Sequence, residues 1–371
     1  MKIAVQIARI IVGALFIFSG IVKAIDPLGL TYKMQEFFEV WKDQGYAPDI
    51  MIDLHHYSFL FSIIMIVLEV VLGVALLVGY RKKLTLRLLL LLMLLFTFLT
   101  SYVLFSGKIR TCGCFGDCIP LTPIQTFTKD IVLLLLIIFM LLKNKYIQPL
   151  FKELLPLAIV LIATIGTCLL LWHVYEHLPI KDCLPYKVGN NILALRQMPA
   201  DAVQDEFSYV FIYEKAGQKK EFTKDFPDST WTFVDRKATL VKKGKNNVPL
   251  INDFSLTDKD GADSTEAILN KAAYYLLFVQ DADHAEDKWM NSFTELYNKA
   301  KKDGLPVYVV TSNRDKIAQL FNKAHDFKLP IYACDGTAIK AAARANPTIF
   351  FMKGPVVQKK YSWADFDALS K

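Results

Sequence analysis

Charge is scarce in this sequence, and the places where it vanishes set its class. Only 21% of the 371 residues are charged while 53% are hydrophobic, a balance too apolar for a soluble protein and too polar for an all-membrane one. There is no internal repeat and no low-complexity tract, which excludes a repeat architecture and a disordered chain. No basic stripe with interleaved aromatics occurs, so the net charge of +7 does not read as nucleic-acid binding. Histidine and cysteine are also rare, six of each, so any cluster of them carries information.

The uncharged runs lie in the first half. "FLFSIIMIV" and "LEVVLGVALLVG" around Glu69, "LLLLLMLLFTFLTSYVLF" from Leu88 and "LLPLAIVLIATIGTCLLLW" from Leu154 are each long enough to cross a bilayer, which takes roughly 20 helical residues. Weaker spans cover residues 3 to 25, interrupted by Arg9, and 124 to 142, which carry Lys129 and Asp130. Five spans are therefore expected. The first lacks a small-residue cleavage site and reads as an anchor. After about Tyr175 no long apolar run recurs, which predicts a water-soluble second half. Arg81, Lys82, Lys83 and Arg87 between spans two and three, with Lys143, Lys145 and Lys152 between spans four and five, place those connections in the cytoplasm. The amino terminus is then cytoplasmic, and the loop after span three and the carboxy-terminal half face outward, as in a multi-pass protein of a bacterial inner membrane. Between spans one and two, Leu30, Met34, Phe37, Phe38 and Trp41 share one helical face, which suits a helix on the outer lipid surface or one packed over the bundle mouth.

The outward loop holds "TCGCFGDC". Cys112 and Cys114 are two residues apart with Gly113 between them, and a disulfide across so short a ring is strained and prone to exchange. Cys118 follows, and three clustered thiols leave one unpaired, as a relay requires. Thiol redox chemistry, a metal site and a structural role all remain open for this cluster. His173 and His177 stand one helical turn apart where span five ends, followed by Cys183, and give the metal reading its ligands, although such histidines are common interface residues and metal is the lesser reading. Cys183 is also placed to act as a shuttle thiol. Cys168 and Cys334 read as packing residues. Arg9 and Glu69 are ionisable groups within apolar spans; they are expected to pair as a structural bridge, or Glu69 to handle protons, with Asp130 another proton carrier or only a helix-start carboxylate.

"RIIVGALFIFSGIVKAIDP", "LEVVLGVALLVGYRKK" and "CGCFGD" followed by "FTKDIVLLLL" together resemble the DoxX family, in particular its relatives of the methylamine-utilisation protein MauE, over residues 1–145. The resemblance implies a four-helix membrane bundle similar to vitamin K epoxide reductase, with Cys112 and Cys114 as the paired cysteines, Cys118 an addition, a role in maturing disulfide-containing proteins, and a quinone partner. From "INDFSLTDKDG" onward the chain resembles a TlpA-like thioredoxin fold, which implies a cis peptide bond at Pro347 in "NPTIFF". The turn where that fold carries its C-x-x-C reads "DADHAEDKW", without cysteine. The domain's own dithiol activity is therefore not carried over, and Asp281 and His284 of that turn are solvated or repurposed.

The expected architecture is an α-helical membrane bundle, four helices (1–145) plus a fifth with its exit segment (146–185), then a small β-rich connecting region (186–250) and an outward-facing α/β thioredoxin-like domain (251–371). The expected function is thiol:disulfide exchange at the inner membrane: Cys112 and Cys114 take or give a disulfide to an exported client protein, Cys118 or Cys183 resolves the mixed disulfide, and quinone within the bundle accepts the electrons. The expected surroundings are membrane lipid and no nucleic acid. A non-enzymatic assembly or client-binding role and metal handling are the alternatives.

Overall fold

The computed structural model describes residues 1–109, 113, 115–151, 154–280, 289–324 and 327–370. Five helices have the length and apolarity to cross a membrane: α1 (Lys2–Ile25), α4 (Ser58–Val78), α5 (Lys82–Ser106), α6 (Pro123–Leu142) and α7 (Leu155–Glu176). The chain is a multi-pass membrane protein. Between α1 and α4 lie α2 (Pro27–Asp43) and α3 (Pro48–His56). Helices α1 and α4 pack antiparallel and closely: a Cβ on Gly73 would meet the Gly13 carbonyl at 2.9 Å, the small-residue contact by which apolar helices associate without a hydrophobic drive. Val12, Phe16, Ile66, Leu76, Leu89 and Ile137 fill the bundle interior, whereas Leu91, Phe98, Leu135, Ile162 and Trp172 point outward, as lipid-facing residues do. Helix α7 packs on α4 and α1, so the fifth helix joins the bundle.

Helix α2 settles the choice left by its periodicity. Leu30, Phe37 and Phe38 are buried, Met34 packs on the bundle core, and Trp41 sits in an aromatic group with Phe37, Phe98 and Tyr102. The helix therefore roofs the bundle end from which the Cys loop emerges.

The second half opens with the short α8 (Ile192–Leu195), followed by β1 (Glu206–Lys215), β2 (Gln218–Phe222) and β3 (Thr232–Lys242), a three-stranded antiparallel sheet in the order β2-β1-β3. The carboxy-terminal domain then runs α9 (Thr265–Leu269), β4 (Tyr274–Val279), α10 (Met290–Lys302), β5 (Val307–Thr311), α11 (Arg314–Ala318), β6 (Ile331–Ala333), α12 (Gly336–Ala342), β7 (Thr348–Lys353), β8 (Val356–Ser362) and α13 (Asp367–Ser370). Its sheet order is β6-β5-β4-β7-β8, with β4, β5 and β6 parallel and β7 and β8 antiparallel. That order, with helices on both faces, is the thioredoxin-like arrangement, and the Asn346–Pro347 bond is cis.

Alternation along the strands separates two cores. Tyr274, Leu276 and Phe278 face a core shared with α9 and α12, while Leu277 and Val279 face Trp289 and Phe293 of the α10 side. Tyr186 and Ile192 belong to the first of these cores, and Gly189 donates its N–H to the Val357 carbonyl at 2.8 Å. The segment expected to connect from residue 186 therefore begins as part of the thioredoxin-like domain, and the separate sheet is closed off by the paired Val203 and Lys245. Helix α11 is short and passes into a wider-turned stretch at Gln319–Ala324.

Candidate functional site

The site lies where the end of α1, the loop between α5 and α6, the segment after α7 and the thioredoxin-like domain meet. The loop begins with Ile109, buried against Phe37, Leu99 and Val103, and turns through a hydrogen bond from Gly116 N–H to the Gly113 carbonyl at 3.0 Å. Gly113 has φ +71°, and a Cβ there would meet Lys33 of α2 at 3.3 Å, so glycine is needed both for the turn and for the approach of that lysine. Cys112 and Cys114 lie outside the described residues, as do Asp281 and His284. Between the two cysteines, then, the structure fixes Gly113 with an aliphatic lysine stem across it. Lys33 pairs with Glu36 at 2.5 Å.

Cys118 is bonded to Cys183, with a Cα separation of 5.0 Å. The third cysteine of the cluster is thus joined to the segment after α7 instead of standing free to resolve a mixed disulfide, and the thiol expected at Cys183 is its partner. The neighbours of both cysteines hold the carboxy-terminal domain. Asp117 accepts from Arg344 at 2.8 Å, and Asp182 accepts from Lys360 at 2.6 Å. Arg344 also donates to Asp26, just past α1, at 2.9 Å, and lies over the Tyr32 ring. Burial pushes the Asp26 carboxyl up, Arg344 opposes that shift and Asp117 adds to it. For Arg344, burial acts downward but Asp26 and Asp117 prevail, and its guanidinium is held charged. Burial lowers Lys360, against the pull of Asp182.

The domain meets the bundle with the face that carries Pro347. Tyr32 of α2 donates to the Gln280 side-chain oxygen at 2.9 Å; Gln280, just past β4, donates its backbone N–H to the Asn346 side chain and its amide nitrogen to the Ala343 carbonyl. Lys340 donates to Gln35 at 2.9 Å. A cavity of about 310 Å³ remains between the two halves, with Tyr32, Trp289, Asn346 and Trp363 among its walls.

Beneath the loop, the bundle holds two charge pairs. Glu69 is fully buried and binds Lys23 of α1, which also donates to Ser19 at 3.0 Å. Asp130 pairs with Lys129 at 2.8 Å and accepts from Thr100 at 3.1 Å. Phe115 of the Cys loop lies over this cluster, with the Lys129 ammonium 4.7 Å from its ring centre. The expected Arg9–Glu69 pair does not form. Arg9 instead donates to the carbonyls of Leu76 and Leu77, at the end of α4, and of Gln148. The reason is height in the bundle: Glu69 stands seven residues, roughly 10 Å, up α4 from the level Arg9 reaches. Arg9 satisfies helix-end carbonyls, and Lys23, at the far end of the same helix, is the cation that sequence reasoning missed.

His173 and His177 stack with ring centres 4.4 Å apart, and His177 Nδ1 lies 2.8 Å from Asp365 of the thioredoxin-like domain. They act at the domain contact, and among the described residues no group of three or more potential ligands gathers around them. Cys168 is exposed on α7 and Cys334 is buried, its thiol pushed up to about 11 by burial. Asp182, Arg344 and Lys360 had no motif to mark them, and Asp26 and Asp117 lay inside the motifs "RIIVGALFIFSGIVKAIDP" and "CGCFGD" without a role of their own; the further signal was the position of Asp117, Asp182 and Arg344 close to Cys118, Cys183 and the expected cis-proline.

Comparison with known proteins bears on both halves. Residues 1–143 match the family described as methylamine utilisation protein MauE. Residues 207–243, the three-stranded sheet, match a domain of unknown function, DUF8463. A stretch of 138 residues, 36% of this chain, is 31% identical to Protein TlpB of Flavobacterium psychrophilum and takes in 35% of that protein. The chain thus spans about a third of that relative's length.

Proposed function

We propose that this chain is an inner-membrane thiol:disulfide exchange protein, with the Cys loop and the thioredoxin-like domain outside, that supports disulfide formation or maturation of exported proteins. The observation that carries the reading is the Cys118–Cys183 disulfide, four residues along the chain from Cys114 and fixed on both sides by ion pairs. In the exchange, a client thiolate attacks one sulfur of the Cys112–Cys114 disulfide and displaces the other as a thiolate. The client's second thiolate then closes the client disulfide. The client loses two electrons and two protons, and Cys112 and Cys114 gain them. Only the thiolate reacts, and the ammonium-bearing Lys33 arm across Gly113 favours that form.

Quinone in the membrane would supply the two-electron acceptor that returns the pair to the disulfide. The cavity beside Glu69, Lys129 and Asp130 is about 20 Å³, room for a water and not for a ring. No step is assigned to that cavity, and Glu69 and Asp130 serve this reading as paired carboxylates beneath the loop. A client-holding role without redox chemistry is the second reading. It is favoured by the turn after β4, which reads "DADHAEDKW" without a cysteine, so the thioredoxin-like domain brings no dithiol of its own.

The test is thiol trapping with a membrane-impermeant maleimide on intact cells. Cys112 and Cys114 are expected oxidised in aerated cells and free when quinone is depleted, and the Cys112→Ser, Cys114→Ser variant should leave exported proteins under-oxidised. One redox state in both cultures, with no effect of the variant, would remove the exchange reading and leave the client-holding one.

A further inference from the structure

The three-stranded sheet is the part of the chain that nothing covers among the described residues. No residue from 193 to 250 is buried, so β1, β2 and β3 lack a core, although the apolar face of a sheet is normally buried against another element. Register sorts the side chains onto two unlike faces. One face carries Phe207, Tyr209, Phe211 and Tyr213 of β1, flanked by Phe222 of β2 and Phe233 of β3. Phe207, Tyr209 and Phe211 follow one another at 6.1 and 6.2 Å. The charged strand residues on this face are Lys215, Lys220 and Arg236, all cations, whereas Glu206, Glu214, Glu221 and Asp235 lie on the other. Arg236 lies over the Tyr209 ring at 5.0 Å and forms no ion pair among the described residues. Asp228, in the connection from β2 to β3, is taken up by Thr230.

Strand β3 also leaves an open edge. It is an outer strand in the order β2-β1-β3, 11 residues long and exposed at every one. Among the described residues its outer side has no backbone partner, and the Arg236 N–H is met by the neighbouring Asp235 carboxylate at 2.7 Å. Between two register shifts, residues 235–240 run evenly against 207–212, with Arg236, Ala238 and Leu240 on the aromatic face. An even, unpaired edge is a template for a further strand. We infer that β3 takes an extended segment of an exported polypeptide as a fourth strand, with apolar side chains at alternate positions toward the aromatic face and a carboxylate beside Arg236. The edge asks for a row of backbone groups, the rings for apolar side chains, and the cations of that face for an anion. A lipid surface lacks the first. A second copy of the chain, paired antiparallel along the whole of β3, would set Lys237 against Lys237, and like charges directly opposite repel. The small Ala238 stands between the added strand and Tyr209, its cross-strand neighbour, so an incoming side chain reaches that ring. The inference rests on the client reading above and gives the client a holding place apart from the Cys loop.

The experiment uses the full chain in nanodiscs of zwitterionic lipid, with empty nanodiscs subtracted. Its probes are fluorescein-labelled peptides in which Leu, Val and Glu alternate with serine, read by anisotropy. The Glu peptide is expected to bind about three- to tenfold more tightly than a counterpart with Lys in place of Glu, the worth of turning a like-charge cross-strand pair into an opposite one. Arg236→Glu, at an exposed position, should reverse that order. Two further forms of the Glu peptide are N-methylated, each at one alternate set of residues. One should lose binding and the other keep it, because only every second residue turns its N–H to the partner strand. No binding of the Glu peptide, an order that survives Arg236→Glu, or equal binding of the two methylated forms would overturn the assignment. A dimer in mass photometry that the Glu peptide dissociates would give the edge to a second copy and overturn it too. The Cys112→Ser, Cys114→Ser variant should bind the peptides as the unaltered chain does, so a failure of the thiol reading is told apart from a failure of this one.

Discussion

Replacing Arg344 by methionine tests how the two halves are joined. The side chain is 6% exposed and donates to Asp26 at 2.9 Å and to Asp117 at 2.8 Å. Removing one partner of a buried ion pair costs about 3–5 kcal/mol, because the other charge is left in a low dielectric. Two features reduce that figure here. Asp26 is already shifted upward by burial, so it escapes by taking a proton. Asp117 keeps 47% of its side chain exposed and rehydrates at little cost. The expected loss in docking is therefore about 2–3 kcal/mol, a shift of roughly 30- to 150-fold toward the undocked state. Methionine preserves apolar contact with Tyr32, so the change reports the charge. Amide hydrogen exchange on the full chain in nanodiscs should show faster exchange in α2 and in α12 to β7, with α5 and α6 unchanged. In the variant, Asp26 has lost the cation that held its carboxyl down. The folded state then keeps a proton that the unfolded chain releases, so stability is greatest in acid and falls as pH rises through the folded pKa. Asp26→Asn added to Arg344→Met should recover part of the loss at neutral pH. Exchange in Arg344→Met equal to that of the unaltered chain, or strictly additive effects in the two-residue cycle, would refute the reasoning.

Glu69→Leu alone strands Lys23 in the bundle and should cost about 3–5 kcal/mol, whereas Glu69→Leu with Lys23→Met should restore most of it, read as the unfolding midpoint in detergent; no recovery would mean the pair is not the local determinant. Cys118→Ser should expose Cys183 to maleimide and lower stability by about 2 kcal/mol, less than the ~4 kcal/mol of the chain-entropy relation for a 65-residue separation, since a bilayer already confines α6 and α7; an unreactive Cys183 would contradict the pairing. The Cys334 thiol, held near 11 against an unshifted 9.0, keeps its proton when folded over a window in which the unfolded chain loses it. Stability should therefore fall as pH rises from about 9 to about 11, by about 2–3 kcal/mol, and Cys334→Ala should remove that part of the alkaline slope measured by chemical denaturation.

The five membrane-length helices were legible because each is a long run in which charge is nearly absent, and the thioredoxin-like strands because "AAYYLLFVQ" and "LPVYVVTS" are short apolar runs broken by helices of clear periodicity. Patterns within one element are visible in one dimension. What escaped were relations between elements. Glu69 announced a buried charge, but its partner depended on the relative height of α1 and α4, which favours Lys23 over Arg9. Cys118 was visible as an odd thiol, but its pairing with Cys183 depended on the loop after α5 reaching the segment after α7. Arg344 looked like any surface arginine until the fold placed it between two aspartates. The α2 periodicity was correct and still left its surroundings open, because an apolar stripe fits lipid and protein equally.

The Arg344–Asp26 contact joins residues 318 apart in sequence, and that span has a meaning in time. Synthesis runs from the amino terminus, and domains fold as they emerge, so α1 to α7 exist as chain long before the cation that meets Asp26 is made. Throughout that interval the carboxyl at the end of α1 has water or a proton for company. Assembly of the bundle mouth therefore waits on a residue made 318 positions after Asp26, and until that residue is made every membrane helix is present while the mouth stays unsealed.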